Sequence, residues 1–428
     1  MLAKTLVQRS SDAIHNLVPN NVSHNSYLAL AKSRAKIMGV AMKHIPMPRP
    51  MLYTGEQATE ELCASMVQAG HKHVLIVTDE ILTKLGVIDR AVDYLKQNNV
   101  QYTVFDGVTP DPTYSVIEKG LDISKKAGCD SVLAIGGGSV IDAAKMIALS
   151  QGSGRSPQKL VGLFKARKPS LPLYALPSTS GTGSEATIGA VVSDDVTHQK
   201  SIAIDPKMVP IATAVDPHVM KGMPPKVTAD TGIDVLTHAI EAWVSLFNDH
   251  DSDYYAASAT KNVFKYLPRA YADGNDLEAR EAMGIAAHNA GIALNKCSLG
   301  YVHAIAHQLG AYHGIPHGRA NAIVLPYVLE FNAKASEKRI AKLVKRIGTA
   351  KDPKASDEKI AAEFVQEVKD LITSLGIDPV VKGMDEKNFG AMAKAAAKEV
   401  SDTYAVPKYM TADDIKGILR KIKAASEA

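Results

Sequence analysis

Residues 131–145 read SVLAIGGGSVIDAAK, an apolar run that leads into Gly136, Gly137, Gly138 and Ser139 and then into a helical pattern. Glycines allow a backbone to approach a pyrophosphate closely, and the free N–H groups of a helix start attract negative charge. The stretch matches neither GxGxxG nor a Walker A loop, because no Lys-Ser/Thr pair follows the glycines. It therefore predicts a strand–turn–helix unit, in which the turn either binds phosphate or is simply tight.

The segments around this unit alternate between β-rich and helical patterns. Strands are predicted at 73–78, 101–105 and 131–135, and helices at 86–97 and 115–127. Continuous apolar strands separated by helices indicate a parallel sheet covered on both faces, with ligands bound beyond the carboxyl ends of the strands. The predicted fold class is α/β, with an N-terminal parallel-sheet nucleotide-binding domain.

A second loop and one carboxylate lie at the ends of such strands. Residues 176–187 read LPSTSGTGSEAT and follow a strand-like run at 171–175. These hydroxyls and glycines, Thr182 among them, suit diphosphate, ribose or amide contacts, although a plain polar connector has the same composition. Asp79 ends the strand at 73–78, where its carboxylate can accept both ribose hydroxyls or cap the next helix.

After about residue 220 the strand signals stop, and Pro224-Pro225 mark the boundary. We expect a basic arm at 1–50, an α/β dinucleotide-binding domain at 51–220 and an all-helical metal and substrate domain at 221–428, with a cleft between the last two. The helices are predicted at 276–294, 302–312, 321–331, 338–347, 356–375 and 412–425, after an apolar stripe from Ile233 to Phe247.

Four of the 14 histidines lie within residues 301–317, YVHAIAHQLGAYHGIPH. His303 and His307 share a helix face one turn apart. A glycine and a proline break the helix, so that His317 can turn back from the start of the next one. His313 is interpreted as a surface or supporting residue. Clustering of this kind is rarely structural.

An upstream Asp-x-x-x-His pair completes the cluster. Asp234 and His238 are four residues apart and lie on one helix face beside the apolar stripe. One carboxylate and three imidazoles suit a borderline divalent ion such as Fe²⁺ or Zn²⁺, with a position open for a substrate oxygen. The cluster lacks cysteine, which argues against a closed structural zinc site.

The composition excludes several classes of protein. Hydrophobic content of 46%, charged content of 22% and a net charge of +4 are ordinary for a globular protein and too weak to indicate a nucleic-acid partner. The three cysteines are far apart and odd in number, which favours a reducing, cytoplasmic location. No apolar run is long enough for a membrane helix.

The N-terminal arm, residues 1–50, carries seven basic residues against Asp12 alone. It is interpreted as a packing arm, with an organellar transit peptide as the alternative.

Together, GGGSVIDAAK, LPSTSGTGSE, GIDVLTHAIEAW and YVHAIAHQLGAYHGIPHGRAN resemble the iron-containing alcohol dehydrogenase family, from about residue 50 to the C-terminus. The resemblance implies a two-domain, dehydroquinate synthase-like fold and hydride transfer between NAD and a small primary alcohol or its aldehyde. It implies metal ligation, most simply of Fe²⁺, by Asp234, His238, His303 and His317. It implies NAD contacts from Asp79, Asp111, Gly138, Ser139, Ser178, Thr179, Thr187, Lys200 and Val219. A homodimer is expected.

His307 matches the family's non-ligand histidine, close to the nicotinamide. It would act as a proton relay, as a polar wall or as a fifth ligand. The chain departs from the family in three ways: Asp111 replaces a frequent Asn, residues 405–408 read AVPK where relatives have an NPR motif, and the arm is additional. The alternatives are a hydroxyacid–oxoacid transhydrogenase, a polyol dehydrogenase or a dehydroquinate-synthase-like lyase on the same fold, and a nucleotide-binding assembly protein without catalysis.

Overall fold

The structure, a computed structural model, describes residues 47–197 and 199–427. Nearly all of the arm expected at 1–50 therefore lies outside the described residues. The chain forms two compact units. An α/β unit comprises Met47–Met223 with Asp273–Gly291, and a helical unit comprises Pro224–Ala272 with the residues from Ile292 onward. Residues 273–291 therefore belong to the α/β unit, although they follow the single boundary that was predicted near residue 220.

The α/β unit alternates short strands with helices, as the sequence predicts. In chain order its elements are β1 (Met51–Thr54), α1 (Ala58–Gln68), β2 (His73–Val77), α2 (Glu80–Lys84), α3 (Asp89–Gln97), β3 (Gln101–Phe105), α4 (Tyr114–Ala127), β4 (Ser131–Gly136), α5 (Gly138–Ser153), β5 (Gly162–Leu163), β6 (Leu173–Pro177), β7 (Gly189–Ser193), β8 (Lys200–Ile204), β9 (Ala212–Val215) and α6 (Pro217–Met220).

Six of the strands form one parallel sheet in the order β1-β9-β6-β4-β2-β3. Strand β4 is buried along its whole length. Val132 and Ala134 join a core cluster with residues of α5, whereas Leu133 and Ile135 join one with residues of α1 and α3. The sheet is therefore covered on both faces, as its unbroken apolar strands predict.

This strand order brings the predicted cofactor segments together. Asp79 lies just after β2, the glycines end β4, and Ser178 follows β6, and these three strands are neighbours in the sheet. The carboxyl ends of parallel strands meet at one edge, which is where such folds bind ligands. A second, mixed sheet of order β5-β8-β7 was not predicted from the sequence.

From residue 225 onward, the elements of the described chain are helices: α7 (Pro225–Val244), α8 (His250–Ala272), α9 (Leu277–Cys297), α10 (Tyr301–His313), α11 (His317–Ile347), α12 (Asp357–Ser374), α13 (Glu386–Thr403) and α14 (Ala412–Glu427). The residues of α9 through Gly291 group with the α/β unit. Among the helices of the described part, none is long and apolar enough to cross a membrane.

Two predictions about these helices are wrong. The segments expected at 321–331 and 338–347 are parts of the single helix α11, which runs through Pro326. The residues between them, NAKASE, lack an apolar stripe but include the strong helix formers Ala, Lys and Glu. In addition, α8 and α13 were missed.

Candidate functional site

The candidate metal centre is built on three helices of the helical unit. Asp234 and His238 project from one face of α7, with 2% and 5% of their surfaces exposed. The Asp234 Oδ1 atom lies 3.8 Å from His238 Nε2 and 3.5 Å from His303 Nε2, where His303 belongs to α10. The ligand atoms of these three residues all lie within 4.8 Å of one another.

The fourth predicted ligand arrives through a tight turn between two helices. Helix α10 ends before Gly314, whose φ of 64° is the left-handed conformation that favours glycine, and Pro316 precedes the start of α11. His317 is the first residue of α11, and its Nε2 lies 3.6 Å from Asp234 Oδ1. Its side chain is 43% exposed, far more than those of the other three residues. The predicted helix break is confirmed.

The electrostatics of the cluster hold Asp234 as an anion and His238 as a neutral ring, the forms that bind a cation, whereas they favour a protonated His303. Burial raises the pKa of Asp234, but the neighbouring histidines outweigh burial and hold the pKa well below its usual range. Burial lowers the pKa of His238 to about 4, so this imidazole is neutral at pH 7. For His303, burial is outweighed by Glu241 and Asp234, which raise its pKa to about 9.

Two buried polar residues that the sequence analysis missed contact this cluster. The Glu241 Oε2 atom lies 2.7 Å from His303 Nδ1. Asn321 donates from Nδ2 to Asp234 Oδ1 at 2.7 Å, and the same nitrogen lies 3.2 Å from His303 Nε2 and 3.3 Å from His317 Nε2. Both residues lie on helices whose apolar faces are buried, so their polar groups are expected to serve the cluster.

His307 has a different partner from His303. Its Nδ1 lies 2.9 Å from Glu399 Oε1 of α13, and the Tyr404 hydroxyl donates to the same oxygen at 2.6 Å. Burial raises the pKa of Glu399, but its contacts with His307 and Tyr404 lower the pKa below its ordinary value. The His307 ring stacks on His317 at a centroid distance of 5.4 Å. Glu399 was not predicted as a site residue, because α13 itself was missed.

The residues fit a divalent metal. Three imidazole nitrogens lie 3.5, 3.6 and 3.8 Å from one carboxylate oxygen, and the rings of His238 and His303 stack at a centroid distance of 4.6 Å. Asn321 Oδ1 is buried and has no hydrogen-bond partner among the described residues. One carboxylate with several imidazoles is a donor set typical of Fe²⁺ or Zn²⁺.

In the α/β unit, the two predicted cofactor loops pack directly on each other. The Ser178 N–H donates to the Gly136 carbonyl at 3.0 Å. A Cβ atom on Gly138 would lie 2.6 Å from a carbon of Thr182, and one on Gly137 would lie 3.4 Å from Thr179. The backbone therefore needs glycine at 138, at the start of α5, where free N–H groups suit a phosphate.

The other predicted cofactor residues are placed as follows. Asp111, with a left-handed φ of 55°, pairs through Oδ1 with Lys200 Nζ at 2.7 Å, and its N–H lies 3.3 Å from Ser139 Oγ. Asp79 Oδ1 accepts the N–H of Leu82 at 2.9 Å, so Asp79 is a helix cap. Val219 belongs to the core cluster on one face of the sheet.

A buried lysine that the sequence analysis did not single out holds the second loop. Lys145 is fully buried on α5, and its Nζ donates to Ser184 Oγ at 3.0 Å, to Thr187 Oγ1 at 2.9 Å and to the Gly189 carbonyl at 2.7 Å. Thr187 was itself predicted as a cofactor contact. Burial lowers the pKa of Lys145 to about 8, against the opposing effect of Asp142.

A parallel sheet with glycine-rich loops at one edge and a carboxylate–imidazole cluster on helices define a class of metal-dependent dehydrogenases. Two family models match this chain: "Iron-containing alcohol dehydrogenase" over residues 49–217, and "Fe-containing alcohol dehydrogenase family, C-terminal" over residues 228–423. The chain belongs to the iron-containing alcohol dehydrogenase family and is an oxidoreductase.

Similar proteins extend over most of the chain. Alcohol dehydrogenase 4 of Schizosaccharomyces pombe is 37% identical over 402 residues, covering 94% of this chain and 93% of that protein. The NAD-dependent methanol dehydrogenase of Bacillus methanolicus is 34% identical, covering 87% and 97%. The crystal structure of a 1,3-propanediol oxidoreductase superposes with a TM-score of 0.84 at 31% identity, covering 88% of this chain and 100% of that one.

Proposed function

We propose that this protein is a metal-dependent, NAD-linked alcohol dehydrogenase that interconverts a small primary alcohol and its aldehyde. The observation that carries the proposal is the approach of three imidazole Nε2 atoms to Asp234 Oδ1 at 3.5, 3.6 and 3.8 Å. The similar proteins named for NAD, methanol and 1,3-propanediol support this cofactor and a small alcohol as substrate.

Asp234, His238, His303 and His317 would hold the metal, for which Fe²⁺ is the first choice and Zn²⁺ the second. When bound, such a metal supplies Lewis acidity toward a substrate oxygen. The low pKa of Asp234 supports its role as an anionic ligand, and the lowered pKa of His238 supports a free nitrogen lone pair at neutral pH. The greater exposure of His317 suits the side from which a substrate enters.

NAD would bind along the carboxyl edge of the parallel sheet. The phosphates would lie at the start of α5, between the two loops that pack through Gly138 and Thr182. The ribose would reach Asp79, and Asp111 with Lys200 would line the same edge. The further contacts proposed are Gly136, Gly137, Ser139, Ser178, Thr179, Thr187 and Val219. In this division residues 51–220 bind the cofactor and residues 221–428 bind the metal and substrate.

His307 is the residue proposed to move a proton. Its Nδ1 is engaged by Glu399 Oε1 at 2.9 Å, which leaves Nε2 as the nitrogen that exchanges a proton with the substrate oxygen. A carboxylate that orients an imidazole through Nδ1 is a common arrangement for a general base. Tyr404 restrains the Glu399 carboxylate as well, because its hydroxyl donates to the same oxygen at 2.6 Å.

We further propose that the protein acts as a homodimer in the cytoplasm, with a small alcohol or aldehyde as its partner and without nucleic acid or membrane. The three cysteines are free and buried, which is consistent with a reducing compartment. Light scattering of the purified full chain tests the dimer, and a mass other than that of two chains contradicts it. Fractionation of cells with an antibody to the chain tests the location.

The decisive experiment combines metal analysis with turnover. Wild-type protein reconstituted with Fe²⁺ should bind one ion per chain and reduce NAD⁺ with a small primary alcohol, followed by absorbance. Asp234→Ala and His303→Ala should each lose the metal and the activity. His313→Ala is the matched control, because His313 lies on α10 but outside the cluster, and it should retain metal. Stoichiometric metal in either test variant removes that residue from the site, and an inactive metallated wild type contradicts the function.

A further inference from the structure

Glu241 is a buried carboxylate on α7 that receives three hydrogen bonds from one short segment. Its Oε2 accepts the Gly300 N–H at 2.8 Å and lies 2.7 Å from His303 Nδ1, and its Oε1 accepts the Val302 N–H at 2.8 Å. Only 6% of its surface is exposed. Both oxygens of the carboxylate are therefore engaged by the start of α10, and one of them also contacts a ring of the cluster.

We propose that Glu241 is a positioning residue for the metal site. It determines which nitrogen of His303 carries the proton, and it fixes that ring relative to Asp234 by holding the first turn of α10. This inference rests on the proposed function, because it takes His303 to be a metal ligand.

The hydrogen-bond chemistry leads to one tautomer. A neutral imidazole has one N–H, and a carboxylate accepts but does not donate. His303 Nδ1 must therefore carry the proton that Glu241 receives, which leaves a lone pair on Nε2, the atom that lies 3.5 Å from Asp234 Oδ1. Carboxylates behind metal-bound histidines fix the tautomer and the ring orientation in this way, and their loss typically weakens metal binding.

The start of α10 depends on the same carboxylate. The first N–H groups of a helix have no partner within the helix, and Gly300, at the cap position, offers no side chain to receive them. Glu241 takes that place from α7, and its negative charge also suits the positive end of the helix dipole. Because His303 is the third residue of α10, the position of its backbone is tied to this contact.

Gly300 gives independent support for the arrangement. Its φ is −147°, an extended conformation that any residue can adopt, so the backbone does not require glycine there. A Cβ atom at this position would lie 2.7 Å from Glu241 Oε1 and 3.0 Å from its carboxyl carbon. Glycine is therefore needed for space, and Gly300→Ala should displace the carboxylate while leaving Glu241 chemically intact.

Glutamine cannot replace this carboxylate. Three N–H groups converge on two carboxylate oxygens, whereas an amide has one oxygen and one NH₂ group. In Glu241→Gln, either the amide NH₂ faces the Val302 N–H, or it donates to His303 Nδ1. In the second arrangement the imidazole proton moves to Nε2, where it blocks the ligand lone pair. Both arrangements disturb the metal site.

The experiment measures Zn²⁺ affinity of the full chain by competition with a chromogenic chelator at one pH. We expect Glu241→Gln to bind Zn²⁺ about 10- to 100-fold more weakly than wild type. Glu399→Gln is the matched control: it makes the same change at the carboxylate that holds the non-ligand His307, so its Zn²⁺ affinity should stay within about twofold of wild type. In metal-free protein labelled with ¹⁵N-histidine, at a pH where His303 is neutral, its proton should move from Nδ1 to Nε2 or divide between them in Glu241→Gln.

Each outcome is decisive. If wild type binds no Zn²⁺, the metal site itself is wrong. If wild type binds Zn²⁺ and folded Glu241→Gln binds it equally well, or lowers only the melting temperature of the metal-free protein, the inference is overturned while the proposed function stands. If Glu241→Gln does not fold, Gly300→Ala takes its place: weaker Zn²⁺ binding by folded Gly300→Ala supports the inference, and unchanged affinity overturns it.

Discussion

Lys145→Met should destabilise the α/β unit and loosen the second cofactor loop. The lysine is fully buried, and its three hydrogen bonds reach Ser184, Thr187 and Gly189. These residues lie in the segment that runs from the end of β6 to the first residue of β7. Methionine has a similar length and shape but no donor. The substitution therefore removes the group that ties this stretch of chain to α5, with little change in packed volume.

The size of the effect follows from the three acceptors that are left behind. One of them, the Ser184 hydroxyl, also donates to the partly buried Asp142 at 2.6 Å, and Asp142 accepts the Val191 N–H at 2.9 Å. Leaving a buried acceptor without its hydrogen bond typically costs about 1–3 kcal/mol. Burial raises the pKa of Asp142 and lowers that of Lys145 to about 8, and the attraction between the two groups opposes both shifts. Because three acceptors lose their donor at once, we expect about 3 kcal/mol.

Thermal unfolding and NAD titration measure the two consequences. A loss of about 3 kcal/mol lowers the melting temperature of a unit of this size by on the order of 10 °C. NAD should bind more weakly, because Thr187 lies on the loosened loop. The double variant Asp142→Asn/Lys145→Met should lose less stability than the two single variants added together, since both side chains hydrogen-bond the same Ser184 hydroxyl. A single variant within about 0.5 kcal/mol of wild type, or simple additivity in the double variant, would refute the reasoning.

Two further predictions concern the proposed cofactor and proton sites. Asp79→Gly should raise kcat/KM with NADP relative to NAD, because the wild-type carboxylate would face the 2′-phosphate of NADP; an unchanged ratio would contradict a ribose contact for Asp79. His307→Gln should keep one metal ion per chain and bind NAD while turnover falls by about 10²- to 10⁴-fold. Metal loss in this variant would instead indicate that His307 is a ligand, and unchanged turnover would leave it as a wall of the site.

The parallel sheet was the most predictable part of the fold. The strand predicted at 101–105 has the bounds Gln101–Phe105, and the one predicted at 131–135 ends one residue later, at Gly136. The strand at 131–136 is a continuous apolar segment, and the one at 101–105 is rich in the strand-forming residues Tyr, Thr, Val and Phe, so the local pattern and the tertiary environment favour the same structure. The mixed sheet was missed because β5 has only two residues and three of the five residues of β7 are buried without strict alternation.

The helical unit was harder to divide into helices from the sequence. Helix α13 reads EKNFGAMAKAAAKEVSDT, in which Phe389, Met392, Ala393, Ala396 and Val400 form a buried stripe at helical spacing. Helix α8 contains Pro268, and its buried face includes polar residues such as Ser252, Asp253 and Thr260, which makes the stripe harder to recognise in the sequence. The stripe shows where a helix packs, whereas helix propensity shows where it can extend. The stripe of α13 is present in the sequence but was not recognised, so the helix that carries Glu399 was missed.

The candidate ligands were easier to find than the residues that hold them. Aspartate and histidine clustered at helical spacing are rare, so Asp234 and the histidines of α10 stand out in the sequence. Glu241 has no such signal, because a glutamate three residues after His238 reads as an ordinary solvated charge. Its contact with His303 spans 62 positions, and the contact between Asn321 and Asp234 spans 87. Contacts this distant in the chain follow from helix packing, which local pattern does not encode.

The same limit applies to the choice between two histidines on one helix. His303 and His307 are one turn apart on α10, and by spacing alone either could bind a metal. They differ in the carboxylate behind each ring. Glu241, 6% exposed, also holds the helix start and directs His303 Nε2 to within 3.5 Å of Asp234 Oδ1. Glu399, 25% exposed, is shared with Tyr404 and lies on a different helix. The fold therefore supplies two chemically identical rings with separate acceptors, and the ring with the more buried acceptor lies nearest the shared carboxylate, as the proposed roles of ligand and proton carrier require.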